Sequence, residues 1–332
     1  MTLARTRSSL VTVFFGLSLA VAACGSTEDT PAATTESDTG GVEIADAAAN
    51  QDGAGAADTG AGATDAGPPD AGAPKATPAT PIAYSAGSAC PTLKKGANAF
   101  WSWGLTRQVD VYLPTNTTDA GLLFLWHGLG GSKENFGAGM NAQGLANALQ
   151  AVVVVPQGGV KFTGWGWGTM DDSTEDAALF DDLLTCVDTQ FDIDNKRVWS
   201  MGFSAGALWT SWLVLHRSTF LASAVAWSGG TGDNSNLYKT PKRKIPALLA
   251  WGGPKDQAMM QFETTTLTMA KHLRADGHFV ATCNHGLGHT IPSGGLTWAI
   301  DFLKRHPWGV ETSDLGTDAA VQKLYPSYCS FQ

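Results

Sequence analysis

The amino-acid sequence predicts an α/β fold over residues 86–332, a mostly parallel central sheet covered by helices on both faces. Three observations carry that expectation. Apolar runs of strand length alternate with stretches patterned as helices. Several of the runs are continuous rather than alternating, as strands buried on both faces require. At one junction a β-branched and aromatic run, 198–201, meets Gly202-Phe203-Ser204-Ala205-Gly206 and passes straight into a helix-forming segment.

In chain order, strands are expected at 108–113, 122–126, 152–156, 197–201, 223–227, 247–251 and 278–283, with an antiparallel start near 100–113. Helices are expected at 135–149, 175–189, 207–216, 262–275 and 296–305. In the second of these Leu179, Phe180, Leu183, Leu184 and Val187 make one apolar stripe. The connection from 227 to 247 is short for a helical lid, so an open site without a lid domain is expected. Chemistry in such sheets gathers at the carboxyl ends of the strands.

The first 85 residues are expected to lie outside that domain. Residues 1–24 read as a signal peptide, with Arg5 and Arg7, an apolar run over 10–23, and a small-residue cleavage site, Val21-Ala22-Ala23-Cys24. The run has about 14 residues against the roughly 20 needed to span a bilayer. Val-Ala-Ala-Cys resembles a bacterial lipobox, which implies a diacylated Cys24 as the mature N-terminus. Gly25 after it implies the outer membrane in a Gram-negative host. Val21 stands where such boxes prefer Leu, which leaves a soluble secreted form open. Residues 25–85 are Ala, Gly, Thr, Asp and Pro with almost no large apolar side chains, a composition that cannot offset ordering entropy, and a disordered linker is expected. Ten of the chain's 30 acids lie there against the single Lys75. The acidity therefore belongs to the linker, the folded part is nearly neutral, and no nucleic-acid partner is indicated. Contact with a membrane is expected only through the lipid at Cys24, and a monomer is expected. Setting Cys24 aside, Cys90, Cys186, Cys283 and Cys329 remain, an even number that favours two disulfides in an exported protein, with three connectivities open. No close Cys-x-x-Cys spacing supports zinc instead.

The candidate chemistry follows from the junction at Ser204. A serine between glycines on a tight strand-to-helix turn is lifted clear of the sheet, with the next backbone N–H at a helix N-terminus, where developing negative charge is stabilised. A serine hydroxyl needs a base to take its proton and an acid to orient the base. Asp256, on the loop after the strand 247–251, is the expected acid, with Asp233 one strand earlier as its rival. His289, on a glycine-rich loop beyond the strand 278–283, is the expected base, and His285 is read as structural. The loop Trp126-His127-Gly128-Leu129-Gly130-Gly131 follows an early strand, so the Leu129 and Ala205 amides are expected to form an oxyanion hole. Gly164-Trp165-Gly166-Trp167-Gly168 should border the site, where Trp165 and Trp167 either stack on a sugar or aromatic acid or pack the loop onto the domain. Asp171, Asp172, Glu175 and Asp176 are read as helix N-terminal acids. No metal or organic cofactor is implied.

The segment 121–131, the run 181–207 with its FDIDNKRVWSMGFSAGA, and GLGHTIP at 286–292 resemble the esterase family of polyhydroxybutyrate depolymerases and feruloyl or acetylxylan esterases. The likeness covers most of 86–308. It implies the α/β-hydrolase fold and a catalytic triad of Ser204, Asp256 and His289. The chain departs from that family at Ala207, often a second glycine, at Ile291, commonly a tryptophan, and at Gly253-Pro254-Lys255 before the aspartate. The expected function is a secreted or surface-tethered serine carboxylic ester hydrolase acting through an acyl-enzyme on a bulky or polymeric ester. That ester would be a polyhydroxybutyrate-like polyester or a feruloyl or acetyl ester of plant polysaccharide. The alternative is a non-catalytic surface lipoprotein of the same fold that binds polymer or carbohydrate through its tryptophans.

Overall fold

The computed structural model describes residues 77–159, 167–168, 175–232 and 237–332. The expected signal segment, Cys24 and most of the linker lie outside the described residues. The linker does not extend to residue 85. The Ala79 amide donates to the Thr219 carbonyl at 3.0 Å, and the Ser85 amide and hydroxyl both bond the Asp182 carboxylate, at 2.7 and 2.6 Å. Composition misses this fastening because it is made by backbone and carboxylate rather than by apolar side chains.

The strands are β1 (Gly96–Ser102), β2 (Leu105–Tyr112), β3 (Gly121–Trp126), β4 (Ala151–Pro156), β5 (Val198–Phe203), β6 (Ser223–Trp227), β7 (Ala247–Trp251), the short pair β8 (Gln257–Ala258) and β9 (Met260–Gln261), β10 (Val280–Asn284) and β11 (Cys329–Phe331). The helices are α1 (Lys133–Gly139), α2 (Ala142–Leu149), α3 (Glu175–Phe191), α4 (Ala205–His216), α5 (Phe262–Ala275), α6 (Gly295–Arg305) and the single turn α7 (Ala319–Gln322). The main sheet runs β1-β2-β4-β3-β5-β6-β7-β10-β11. Its centre, β4 to β10, is parallel. β1 and β2 close one edge antiparallel, as the sequence predicts. β11 closes the other edge and is not legible in the sequence, being three half-exposed residues paired to β10. Between β6 and β7 the described residues form no helix.

Successive side chains of a strand point to opposite faces, and β3 divides accordingly. Leu122, Phe124 and Trp126 join the core beneath α3, α4 and α5, while Leu123 and Leu125 join the core beneath α2 and α6. α4 is buried from Ala205 through Leu215, which is why its sequence has no polar face. The single helix expected over 135–149 is two. Asn141 adopts a left-handed φ of 47°, which asparagine tolerates, and its side chain accepts the Gly144 amide to start α2 afresh.

Both expected disulfides are present, as Cys90–Cys186 and Cys283–Cys329. The first ties the segment before β1 to α3 across 96 residues, the second ties β11 to β10. Replacing Cys90 and Cys186 together by serine is expected to lower the free energy of unfolding by about 2–5 kcal/mol, measured by denaturant titration.

His306 caps α6 from within the core, its Nδ1 2.7 Å from the Phe302 carbonyl and its ring packed against both Phe279 and Phe302. Burial pushes its pKa down to about 4. Below the ordinary histidine value of about 6.5 the unfolded chain takes up a proton that the folded chain refuses until about pH 4, so stability falls as pH drops through that window. His306→Gln is expected to flatten this part of a stability-versus-pH curve, by up to about 3 kcal/mol between pH 7 and 4.

Candidate active site

The turn from β5 into α4 is among the tightest in the molecule. A Cβ on Gly202 would sit 2.2 Å from the Gly206 carbonyl oxygen, and one on Gly206 would sit 2.1 Å from that of Trp126. Only glycine fits at either position. Between them Ser204 is held at φ 56° and ψ −122°, a conformation that non-glycine residues rarely adopt. The Ser204 amide donates to the Trp227 carbonyl at 2.9 Å, and its carbonyl accepts from Ala207 and Leu208. The side chain is thereby presented at the carboxyl edge of the sheet, and the Ala205 amide opens α4.

Ser204, His289 and Asp256 come together at that edge. His289 Nε2 lies 2.9 Å from Ser204 Oγ, and His289 Nδ1 lies 2.7 Å from Asp256 Oδ1. The carboxylate accepts at Nδ1, so that nitrogen carries the proton and Nε2 is left with a lone pair for the serine hydroxyl. Asp256 is 0 % exposed. Its second oxygen, Oδ2, accepts from the Gly252 amide and the Ser228 hydroxyl, each at 2.8 Å. With both oxygens engaged, the carboxylate cannot rotate away from the imidazole.

Two further contacts set the imidazole plane. Phe262 stacks on His289 with centroids 4.8 Å apart and planes 15° apart, and Phe203 lies 4.8 Å away at 33°. The loops bearing Asp256 and His289 are joined where the Gly288 amide donates to the Gly252 carbonyl at 2.9 Å. A Cβ on Gly252 would meet the Gly288 oxygen at 1.9 Å, so this close approach again demands glycine. The unusual Gly253-Pro254-Lys255 is one 3-10 turn that delivers Asp256 to the histidine.

The loop expected to supply the other amide abuts the serine, since a Cβ on Gly128 would lie 3.2 Å from Ser204 Cβ. Leu129 turns its side chain outward and is 45 % exposed. His127 holds the loop from beneath: its Nδ1 is 2.8 Å from the Gly128 carbonyl and its Nε2 accepts the Gly158 amide at 2.9 Å. Burial lowers its pKa, which favours the neutral ring that these two bonds need.

Trp167 requires a correction. It is 3 % exposed, crosses Trp126 edge-to-face with centroids 4.9 Å apart, and donates its indole N–H to the His127 carbonyl at 2.8 Å. It packs the loop onto the domain and presents no face to a ligand. Trp165, Asp233, Asp171 and Asp172 lie outside the described residues. Asp176 stands in the first turn of α3, as expected, and also pairs with Arg107 at 2.8 Å. His285 is buried beside Tyr328 and accepts the Leu287 amide. Sequence reasoning missed Ser228, Phe203 and Phe262. Ser228 follows β6 directly, so the strand-end rule used for Asp256 would also have singled it out; the two phenylalanines read only as apolar.

No family model matches the chain. It is 31% identical over 172 residues to feruloyl esterase D of Neurospora crassa, covering 46% of this chain and 57% of that protein. It is 27% identical over 155 residues to a bifunctional acetylxylan esterase/xylanase of Neocallimastix patriciarum, covering 46% and 22%. The chain thus spans less than two thirds of the length of either. Among solved structures it superposes on native pOPH with a TM-score of 0.57 at 21% identity, over 73% of this chain and 96% of that one. The chain has the α/β-hydrolase fold. The resemblance carried by three short segments is met by relatives that bear the esterase name, and the expected fold is the one observed.

Gly206→Ala is expected to lower the Tm by several degrees or to prevent folding, because its methyl would strike backbone rather than a movable side chain. Thermal unfolding of the purified variant measures this.

Proposed function

We propose that the protein is a serine carboxylic ester hydrolase with Ser204 as nucleophile, His289 as general base and acid, and Asp256 as the group that orients the histidine. The observation that carries this reading is the unbroken run of hydrogen bonds from Asp256 through His289 to Ser204 on a strained strand-to-helix turn. His289 Nε2 takes the hydroxyl proton as Ser204 Oγ bonds to the ester carbonyl carbon. The Leu129 and Ala205 amides receive the negative charge that moves onto the carbonyl oxygen. The carbon–oxygen bond to the alcohol then breaks, and the alcohol leaves with the proton from His289. Water, deprotonated by the same nitrogen, releases the acyl group as the acid and restores Ser204. Asp256 stays ionised throughout and stabilises the imidazolium.

The named activities of the relatives support a carboxylic ester as substrate. A bulky or polymeric ester suits a site with no helix over it between β6 and β7 among the described residues. The protein is proposed to act as a monomer outside the cytoplasm, held at the cell envelope by lipid on Cys24 or released, with the segment between Cys24 and the folded domain as the tether. No described helix is long and apolar enough to cross a membrane.

Ser204→Ala is expected to cut hydrolysis of short nitrophenyl esters by at least about a thousandfold while leaving the Tm in place. Labelling by a fluorophosphonate separates this reading from that of a non-catalytic binding protein, since only an activated serine reacts. Retained turnover in the alanine variant, or a wild type inert to the probe, would end the proposal.

A further inference from the structure

Beside the serine lies a cavity of about 490 Å³ between α1 and the segment 290–296, within the range of sites for small organic groups. His289 and Phe203 form its wall toward the reacting atoms. Resting on the esterase reading above, we propose that this cavity receives the alcohol half of the ester, and that the half it takes is an uncharged aliphatic or aromatic group rather than a sugar.

The assignment to the alcohol half follows from where the ester must point. Its carbonyl oxygen turns toward the Leu129 and Ala205 amides, and neither residue lines the cavity. Its leaving oxygen must come within reach of His289 Nε2, the atom that protonates it. His289 is itself part of the cavity wall, so the group bonded to the leaving oxygen is the one directed inside. The acyl group is directed away from that wall, since the carbonyl carbon carries its substituents on separate sides.

The chemistry of the lining decides what that group is. Phe136, Met140, Phe203, Ile291, Pro292 and Leu296 give it an apolar surface, and no Asp, Glu, Lys or Arg is among the described lining residues. Its polar side chains Asn135, Thr290 and Ser293 are solvent-exposed. A sugar would bring a hydroxyl on almost every carbon against a mostly hydrocarbon surface, where Asn135, Thr290 and Ser293 could satisfy only a few of them, which disfavours it. Each methylene of an aliphatic alcohol gains about fourfold in binding when buried there. Gly139 at the end of α1 sets the room available, because a Cβ built on it meets nothing within 4 Å.

The test compares kcat/KM of the full chain on two series of esters, acetates of ethanol, butanol, hexanol and octanol, and ethyl esters of acetic, butyric, hexanoic and octanoic acid. Along the alcohol series kcat/KM is expected to rise about fourfold per methylene over the first few carbons, and along the acyl series to change far less. In Gly139→Phe the ratio of hexyl to ethyl acetate turnover is expected to fall at least tenfold. Should that variant not fold, inhibition of the wild type serves instead: 1-octanol is expected to compete with hexyl acetate, and arabinose not to. A rise confined to the acyl series, no length dependence in either, or competition by arabinose as strong as by octanol would overturn the inference while leaving the esterase reading intact. A wild type that hydrolyses no ester and resists a fluorophosphonate would overturn both.

Discussion

The close approach of backbone to backbone at the turn between β5 and α4 governs the rest of the site. Gly202 lies against the Gly206 carbonyl and Gly206 against that of Trp126, with no space for a methyl group at either contact. This brings the start of α4 down onto the end of β3, and Ser204 is left with a strained backbone as the consequence. Such strain persists only where the surroundings over-determine it. Here the surroundings are a helix buried along nearly its whole length and a parallel sheet packed on both faces. The core therefore does more than stabilise the fold, since it holds a side chain in a position that the local chain would not choose.

The same device recurs on the other side of the site. Gly252 and Gly288 meet so closely that the loops after β7 and β10 are joined backbone to backbone, and the two loops carry the acid and the imidazole. Around them the contacts are redundant. Asp256 is held by three donors on two oxygens, and the imidazole is confined between two phenylalanine rings. A histidine so placed has few alternative rotamers, so little entropy is lost when it engages the serine. Cys283–Cys329 fastens the last strand behind the His289 loop. Beneath the 127–131 loop, His127 and Trp167 act in the same way, as supports for backbone that touches the serine.

Trp167 illustrates where sequence reading fails. Glycine-spaced tryptophans near a strand end suggest an exposed platform, yet an indole is also a large hydrophobe with a single donor. Burial against Trp126 satisfies both properties at once, through contact area and through the bond to the His127 carbonyl. The segment 135–149 fails differently: its apolar periodicity continues through Asn141, and only the left-handed backbone there divides it. The start of the domain is misplaced because Ser85 is tied by hydrogen bonds to Asp182, which composition does not register.

What the sequence determines by itself is local or ordered along the chain. The buried parallel strands, the glycines flanking Ser204, and the succession of serine, aspartate and histidine at strand ends are all legible, because burial, turn geometry and chain order act on neighbouring residues. What only the tertiary structure decides depends on residues far apart. The disulfide partners, the rings that confine His289, the choice between an exposed and a buried tryptophan, and the apolar cavity between α1 and 290–296 belong to that class. Each is a contact between segments whose sequences carry no record of one another, and it exists only once the sheet has brought their ends to a common edge.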